Sequence, residues 1–235
     1  MPLKPTFLQV ALWDKLEAIM DSLGEYLKPT YLCDFDQVPN IGDTATRLTE
    51  KLEDKREMFK RIYRFVKELP YGLEDGDVKT SDTLRKRWGM CSGKTSLLVA
   101  MLRSLGIPAR YRISKIKPEG TLWRWVASRD GELARQMGNP SPEQDHVMAE
   151  VYIDGWEACD PSRDPAFEEG LRRLGIPLER KLVTDPSGNP QSVTLASIDK
   201  WAENRQRARR FRENRRLIFS RVNEQFDRIR SLGGR

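Results

Sequence analysis

Apolar residues recur at three- and four-residue steps through the first part of the chain. Leu8, Leu12, Leu16, Met20 and Leu23 mark one face of a helix over residues 7–27. Residues 28–42, broken by Pro29, Pro39 and Gly42, read as irregular chain. The helical period then returns from Asp43, a good N-cap, to Leu69. Leu48, Leu52, Phe59, Ile62, Phe65 and Val66 line its apolar side, and Pro70 with Gly72 stops it. A polar stretch over 74–81 leads to a further helix from about Ser92 to Leu105. Gly106 stands at its C-terminal cap, followed by Ile107-Pro108.

Beyond this point the pattern changes. ARYRISKI (109–116) reads as a strand, and HVMAEVYI and WEACD read as two more, joined at the hairpin signal Asp154-Gly155. Residues 117–145 form an insertion that holds Trp123, Trp125 and a short helix near Gly131–Met137. Another short helix is expected at 167–174, a turn-rich linker at 185–190 and a long amphipathic helix from Ser197 to Leu232. Helices followed by an antiparallel sheet predict an α+β fold with segregated layers. The expected division is a domain over 1–190 and a basic C-terminal helix within 191–235.

Composition places this pattern in a chain with a charged surface, 38% hydrophobic and 32% charged. No apolar run approaches the ~20 residues of a membrane span. Asp14, Lys15 and Glu17 interrupt the N-terminal stretch, which therefore reads as a helix of a cytoplasmic protein rather than a signal peptide. The charge is uneven. Residues 197–235 carry eleven arginines and one lysine against five acids, or +7, so the rest of the chain holds about −1 of the total of +6.

Three cysteines, Cys33, Cys91 and Cys159, form no CxxC pair, and a single histidine leaves too few ligands for a zinc site. They read as free thiols. Cys91 lies where a loop gives way to a helix, and the unpaired N–H groups and dipole there favour a thiolate. The same residue shares a helical face with Leu98, Leu102 and Leu105, a face expected to pack on the sheet. His146, the one histidine, opens a strand and is the one side chain suited to general-base work near neutral pH. Asp160 ends the next strand. Singly, each fits a structural role: a buried thiol, a satisfied histidine, a turn-starting Asp-Pro.

Together their contexts match a known pattern. Gly89-Met-Cys91-Ser, followed by Leu97-Leu98 and by Met101-Leu-Arg-Ser-Leu-Gly-Ile-Pro-Ala-Arg110, resembles the transglutaminase-like superfamily. The block from His146 through Gly155-Trp156 to Asp160-Pro161-Ser162 looks like that family's histidine and aspartate strands. Phe65-Val66, Tyr71 and Ser81-Asp-Thr-Leu84 resemble its lead-in, so the likeness spans about 31–165. Val147-Met148 and Ser162 depart from the common residues, which bears on substrate preference rather than on the chemistry.

The resemblance implies a papain-like/transglutaminase-like core with the catalytic helix packed on an antiparallel sheet. It further implies Cys91 as nucleophile, His146 as base and Asp160 as the group that orients the histidine. A peptide or protein carboxamide would be attacked to give a thioester, with no metal or organic cofactor. The Cys91 N–H plus Trp88 or Tyr71 would meet the oxyanion.

Other readings carry less. Gly89-Met-Cys-Ser-Gly93-Lys94-Thr95 is one residue short of a phosphate-binding loop and no strand precedes it. Arylamine N-acetyltransferases share the residue order but have a different lead-in. A nucleic-acid or protein-binding role through Arg205, Arg207, Arg209, Arg210, Arg212, Arg215 and Arg216 is the alternative of a different class. The apolar face formed by Trp201, Ala208, Phe211, Ile218, Val222 and Ile229 favours docking or self-association of that helix instead.

Two structural expectations follow. Trp123 and Trp125 should wall the cleft beside His146. A three-residue hairpin loop should pair Tyr152 with Trp156, give Gly155 a positive φ and bring Asp160 to the histidine's face.

Overall fold

The structure, a computed structural model, describes residues 23–37, 40–117, 120–137, 143–209 and 215–234. The helix expected over 7–27 lies outside these residues except at its end, where a 3₁₀ turn spans Gly24–Leu27. The apolar stripe from Asp43 to Leu69 resolves into two helices, α1 (Asn40–Thr49) and α2 (Lys55–Glu68). Lys51 interrupts it in the left-handed region at φ 70°, and Asp54 caps α2 by accepting the Arg56 N–H at 2.7 Å.

A short α3 (Thr80–Lys86) and the left-handed Arg87 lead to α4 (Cys91–Ser104). This helix runs through the interior. The expectation of one inward face is corrected here, because every residue from Cys91 to Arg103 is buried. Helices α1, α2 and α3 cover one side of α4, and the sheet covers the other. Its long polar side chains and Thr95 reach backbone carbonyls, as burial requires. Lys94 donates to the Lys67 and Leu69 carbonyls, Thr95 to Val147, and Arg103 to Lys28, Ala109 and Ala196. Gly106 ends the helix at φ 71°, the conformation its place after Leu105 calls for.

The strand β1 (Ala109–Ile116) follows, then α5 (Gly120–Ser128), α6 (Gly131–Met137), β2 (Gln144–Tyr152) and β3 (Trp156–Cys159). After α7 (Pro165–Arg173), the short strand β4 (Ser192–Leu195) completes an antiparallel sheet in the order β3-β2-β1-β4. The β2–β3 register is the expected one, with Tyr152 opposite Trp156 and Ala149 opposite Cys159. Gly155 does not take the expected positive φ. The loop instead closes through the Ile153 N–H on the Gly155 carbonyl at 3.3 Å, which needs no left-handed residue.

The C-terminal segment forms α8 (Asp199–Arg209) and α9 (Arg215–Gly233), with 210–214 outside the described residues. Both helices dock. Ile198 and Ala202 enter the main core, and Trp201 Nε1 donates to Asp145 at 3.1 Å. Val222, Phe226 and Ile229 build a second core with Leu122, Val126, Leu133, Phe167 and Leu171. Helices α7 and α9 meet so closely that a Cβ on Gly170 would stand 2.0 Å from the Ile229 carbonyl oxygen. Arginines of this segment face acids of the body: Arg205 to Asp77, Arg215 and Arg216 to Asp75, Arg221 to Asp130, and Arg230 to Asp164. Among the described residues, no helix is long and apolar enough to cross a membrane.

Candidate active site

The start of α4 is fixed by the chain before it. Gly89 donates to the Pro70 carbonyl and accepts from the Gly72 N–H, each at 3.1 Å, so this loop lies beside Tyr71 as a short parallel bridge. The Met90 N–H donates to Glu74 Oε2 at 3.1 Å, and Glu74 is paired with Lys86. Gly93 packs tightly against α3, since a Cβ there would lie 3.0 Å from Thr83 Oγ1. Cys91 is thus held as the first residue of the helix, buried at 7% exposure.

His146 stands third in β2, likewise buried. Its Nε2 lies 2.9 Å from Asp160 Oδ2, and the ring borders the same cleft as the Cys91 thiol, near enough for each group to shift the other's pKa. Asp160 follows β3 one step past the Ala149–Cys159 pair, opposite Met148 and so on the histidine's side of the hairpin. Its carboxylate receives two further donors, Arg180 Nη1 on Oδ2 at 2.5 Å and the Ser162 N–H on Oδ1 at 2.9 Å. The second guanidinium nitrogen of Arg180 donates to Ser162 Oγ at 2.9 Å. The three residues singled out in the sequence therefore meet in space.

Their electrostatics are coupled. Burial opposes ionisation of Cys91. The hydrogen bond and charge of His146, the charge of Arg205 and the backbone at Val147 outweigh it and lower the thiol's pKa. Burial also works against an imidazolium, but the bonds to Asp160 and Cys91 raise the His146 pKa, with Arg180 opposing. Asp160 is buried too, yet His146, Arg180 and Ser162 hold its carboxyl far below the usual range. The other two cysteines behave oppositely. Burial pushes Cys33 up to about 11, and burial with nearby acids pushes Cys159 to about 12. A thiolate–imidazolium pair is the state this arrangement favours.

A cleft opens at Cys91 and His146. Tyr71, Ile116, Leu122, Trp123 and Phe226 supply its apolar lining, and Arg163 and Arg180 its cationic side. Trp123, from the insertion, thus forms a wall of the cleft, whereas Trp125 stacks with Arg129 and does not line it. Trp88 is not among the lining residues either. Its ring lies over Gly72 and beneath Lys86 Nζ, leaving Tyr71 as the aromatic of the lead-in that borders Cys91. Sequence reasoning did not find Arg180, Leu122 or Phe226, which come from a loop, the insertion and the C-terminal helix. Among the described residues, no group of three or more His, Cys, Asp or Glu side chains could hold a metal ion.

The family model described as Transglutaminase-like superfamily matches residues 42–161, just over half of the chain. An uncharacterized protein of Mycobacterium leprae is 23% identical over 178 residues, which cover 74% of this chain and 58% of that relative. The chain therefore spans under two thirds of that relative's length. Among solved structures, a candidate cysteine protease from Cytophaga hutchinsonii aligns over 61% of this chain and 43% of its own, at 22% identity and a TM-score of 0.45. The periplasmic domain of TgpA from Pseudomonas aeruginosa aligns over 58% of this chain and 46% of its own, at 17% identity and a TM-score of 0.37.

Proposed function

The chain belongs to the transglutaminase-like superfamily, and we propose that it is a cysteine-dependent enzyme acting on a peptide or glutamine-type carboxamide through a thioester on Cys91. The observation that carries this reading is the placement of His146 between the Asp160 carboxylate and a thiol at a helix N-terminus. Nε2 is engaged by Asp160, so Nδ1 is the nitrogen that exchanges the proton with Cys91.

The Cys91 thiolate attacks the carbonyl carbon, and the carbonyl oxygen takes the electron pair. The Cys91 N–H supports that oxyanion, with Tyr71 better situated than Trp88 for the second contact. Collapse breaks the C–N bond as the His146 imidazolium gives its Nδ1 proton to the leaving ammonia or amine. Water or a second amine, deprotonated by His146, then attacks the thioester and releases Cys91 as a thiolate. Water gives hydrolysis, as in a protease or deamidase, and an amine gives acyl transfer.

The alternative of a binding module working through the arginine-rich segment has less support. Of the seven arginines that reading names, Arg205 and Arg215 are largely buried against Asp77 and Asp75, Arg216 is 90% exposed, and the side chains of Arg207, Arg209, Arg210 and Arg212 lie outside the described residues. A peptide library screened with and without an added primary amine tests the proposal. Product formation that disappears in Cys91→Ala is the expected result, and amine incorporation separates transfer from hydrolysis. Turnover that survives Cys91→Ala refutes the reading.

A further inference from the structure

One buried cation beside the nucleophile has no part in the steps above. Arg205 is carried by α8, more than a hundred residues from Cys91 in the chain, and its side chain is 17% exposed. Its Nη2 lies 3.9 Å from the Met90 sulfur and its Nη1 3.5 Å from Asp77 Oδ1. The Asp77 carboxylate is almost fully buried, at 2%, and its Oδ1 accepts a 2.5 Å hydrogen bond from Ser92 Oγ. Guanidinium, carboxylate and hydroxyl thus run in series to the residue that follows Cys91. Arg205 is itself held in place. Its guanidinium stacks 4.7 Å from the centre of the Trp201 ring, and Trp201 is tied to Asp145, the neighbour of His146.

We propose that Arg205 is a positioning residue of the catalytic centre, fixing the first turn of the Cys91 helix through Asp77 and Ser92 and supplying positive charge that favours the thiolate. The proposal rests on the reading of Cys91 as nucleophile. Its physical basis is the charge around the thiol. The loop before α3 brings two acids, Glu74 and Asp77, toward the start of α4, where each would oppose a thiolate. Glu74 is paired with Lys86, and Asp77 faces the Arg205 guanidinium. From β2 come His146 and Asp145, the latter paired with Lys115. Lys94 lies on α4 itself, and Arg163 and Arg180 face the cleft. Among these groups His146 and Arg205 are the cations that most favour the ionised thiol.

The test is the rate of Cys91 alkylation by iodoacetamide in the full chain, mapped by peptide mass spectrometry from pH 5 to 9. Wild type, Arg205→Gln and Arg205→Lys are compared. The expected result for Arg205→Gln is an upward shift of the thiol's apparent pKa of about one unit, which is about tenfold slower labelling on the acid side. The curves should converge at pH 9, and Arg205→Lys should recover most of the loss. An Arg205→Gln profile superimposable on wild type overturns the proposal. So does slowing by one constant factor at every pH, the signature of a purely structural role. If wild-type Cys91 reacts no faster than Cys33 and Cys159, the nucleophile assignment fails and this proposal falls with it.

Discussion

Replacing Lys94 with methionine should flatten the pH dependence of the protein's stability. Lys94 lies one turn beyond Cys91, is fully buried, and donates to the Lys67 carbonyl at 3.1 Å and the Leu69 carbonyl at 2.5 Å. Carbonyls at the end of α2 lack helical partners and favour a cation. Burial nonetheless dominates and lowers the Lys94 pKa from 10.5 to about 7, with Lys67 and Arg230 adding to it and Asp164 and Asp160 opposing. The sign follows from linkage. Below pH 7 both folded and unfolded chains hold the proton, so the full cost of the buried charge weighs on the folded state. As pH rises through 7 the folded chain releases the proton, while the unfolded chain keeps it until about 10.5, so stability increases across that window. Each pH unit in the window contributes about 1.4 kcal/mol, so the gain from pH 6 to 9 is about 2.5 kcal/mol. At a urea m-value of about 2.5 kcal/mol/M this corresponds to roughly 1 M in the unfolding midpoint. Urea titrations of wild type and Lys94→Met at pH 6, 7, 8 and 9 measure it. The two proteins can differ by a constant, since methionine leaves both carbonyls unbonded. Their difference must grow in favour of wild type as pH rises. A difference that stays level from pH 6 to 9 refutes the reasoning.

Turnover should be confined between the two apparent pKa values of the Cys91–His146 pair. Asp160→Asn, which removes the charge that raises His146, should move the alkaline limb down and lower kcat/KM by about 10²–10⁴. Arg180→Gln should move the same limb up, because Arg180 opposes protonation of His146; pH–rate profiles of both variants check the opposite signs. Gly170→Ala must push α9 off α7 and loosen the core around Phe226, at a cost on the order of 3 kcal/mol in chemical denaturation. Since Phe226 lines the cleft, KM should rise more than kcat falls in that variant. At pH 7, Cys33 and Cys159 hold thiolate fractions of about 10⁻⁴ and 10⁻⁵, so alkylation followed by peptide mapping should find Cys91 modified well before either.

What the sequence made legible follows from where the signals are local. The Gly106-Ile107-Pro108 stop fixed the end of α4, and the Asp154-Gly155 punctuation fixed the hairpin register that brings Asp160 to His146. The break between α1 and α2 was hidden because the apolar stripe keeps its period across it. Asp54, three residues before Glu57, was the available sign of a fresh helix start. Strand β4 went unread because Ser192–Leu195 is only four residues long and abuts a turn, and Val193 remains half-exposed on the sheet edge. Arg180, Arg205 and Phe226 had no local signature at all. Periodicity tells which face of a helix is apolar, but the partner that covers it is a tertiary fact. The charge of the C-terminal segment therefore suggested an external ligand, while in the fold much of that charge answers Asp75, Asp77, Asp130 and Asp164.

The most direct measurement is the intact mass of the protein after acid quench during turnover of a reactive acyl donor such as a p-nitrophenyl ester. The account predicts a single acyl adduct, mapped to Cys91, labile to hydroxylamine and absent from Cys91→Ala. It also predicts that the adduct builds up in His146→Ala only at a pH high enough to ionise the thiol without its partner. An adduct on another residue, or turnover undiminished in Cys91→Ala, would contradict it.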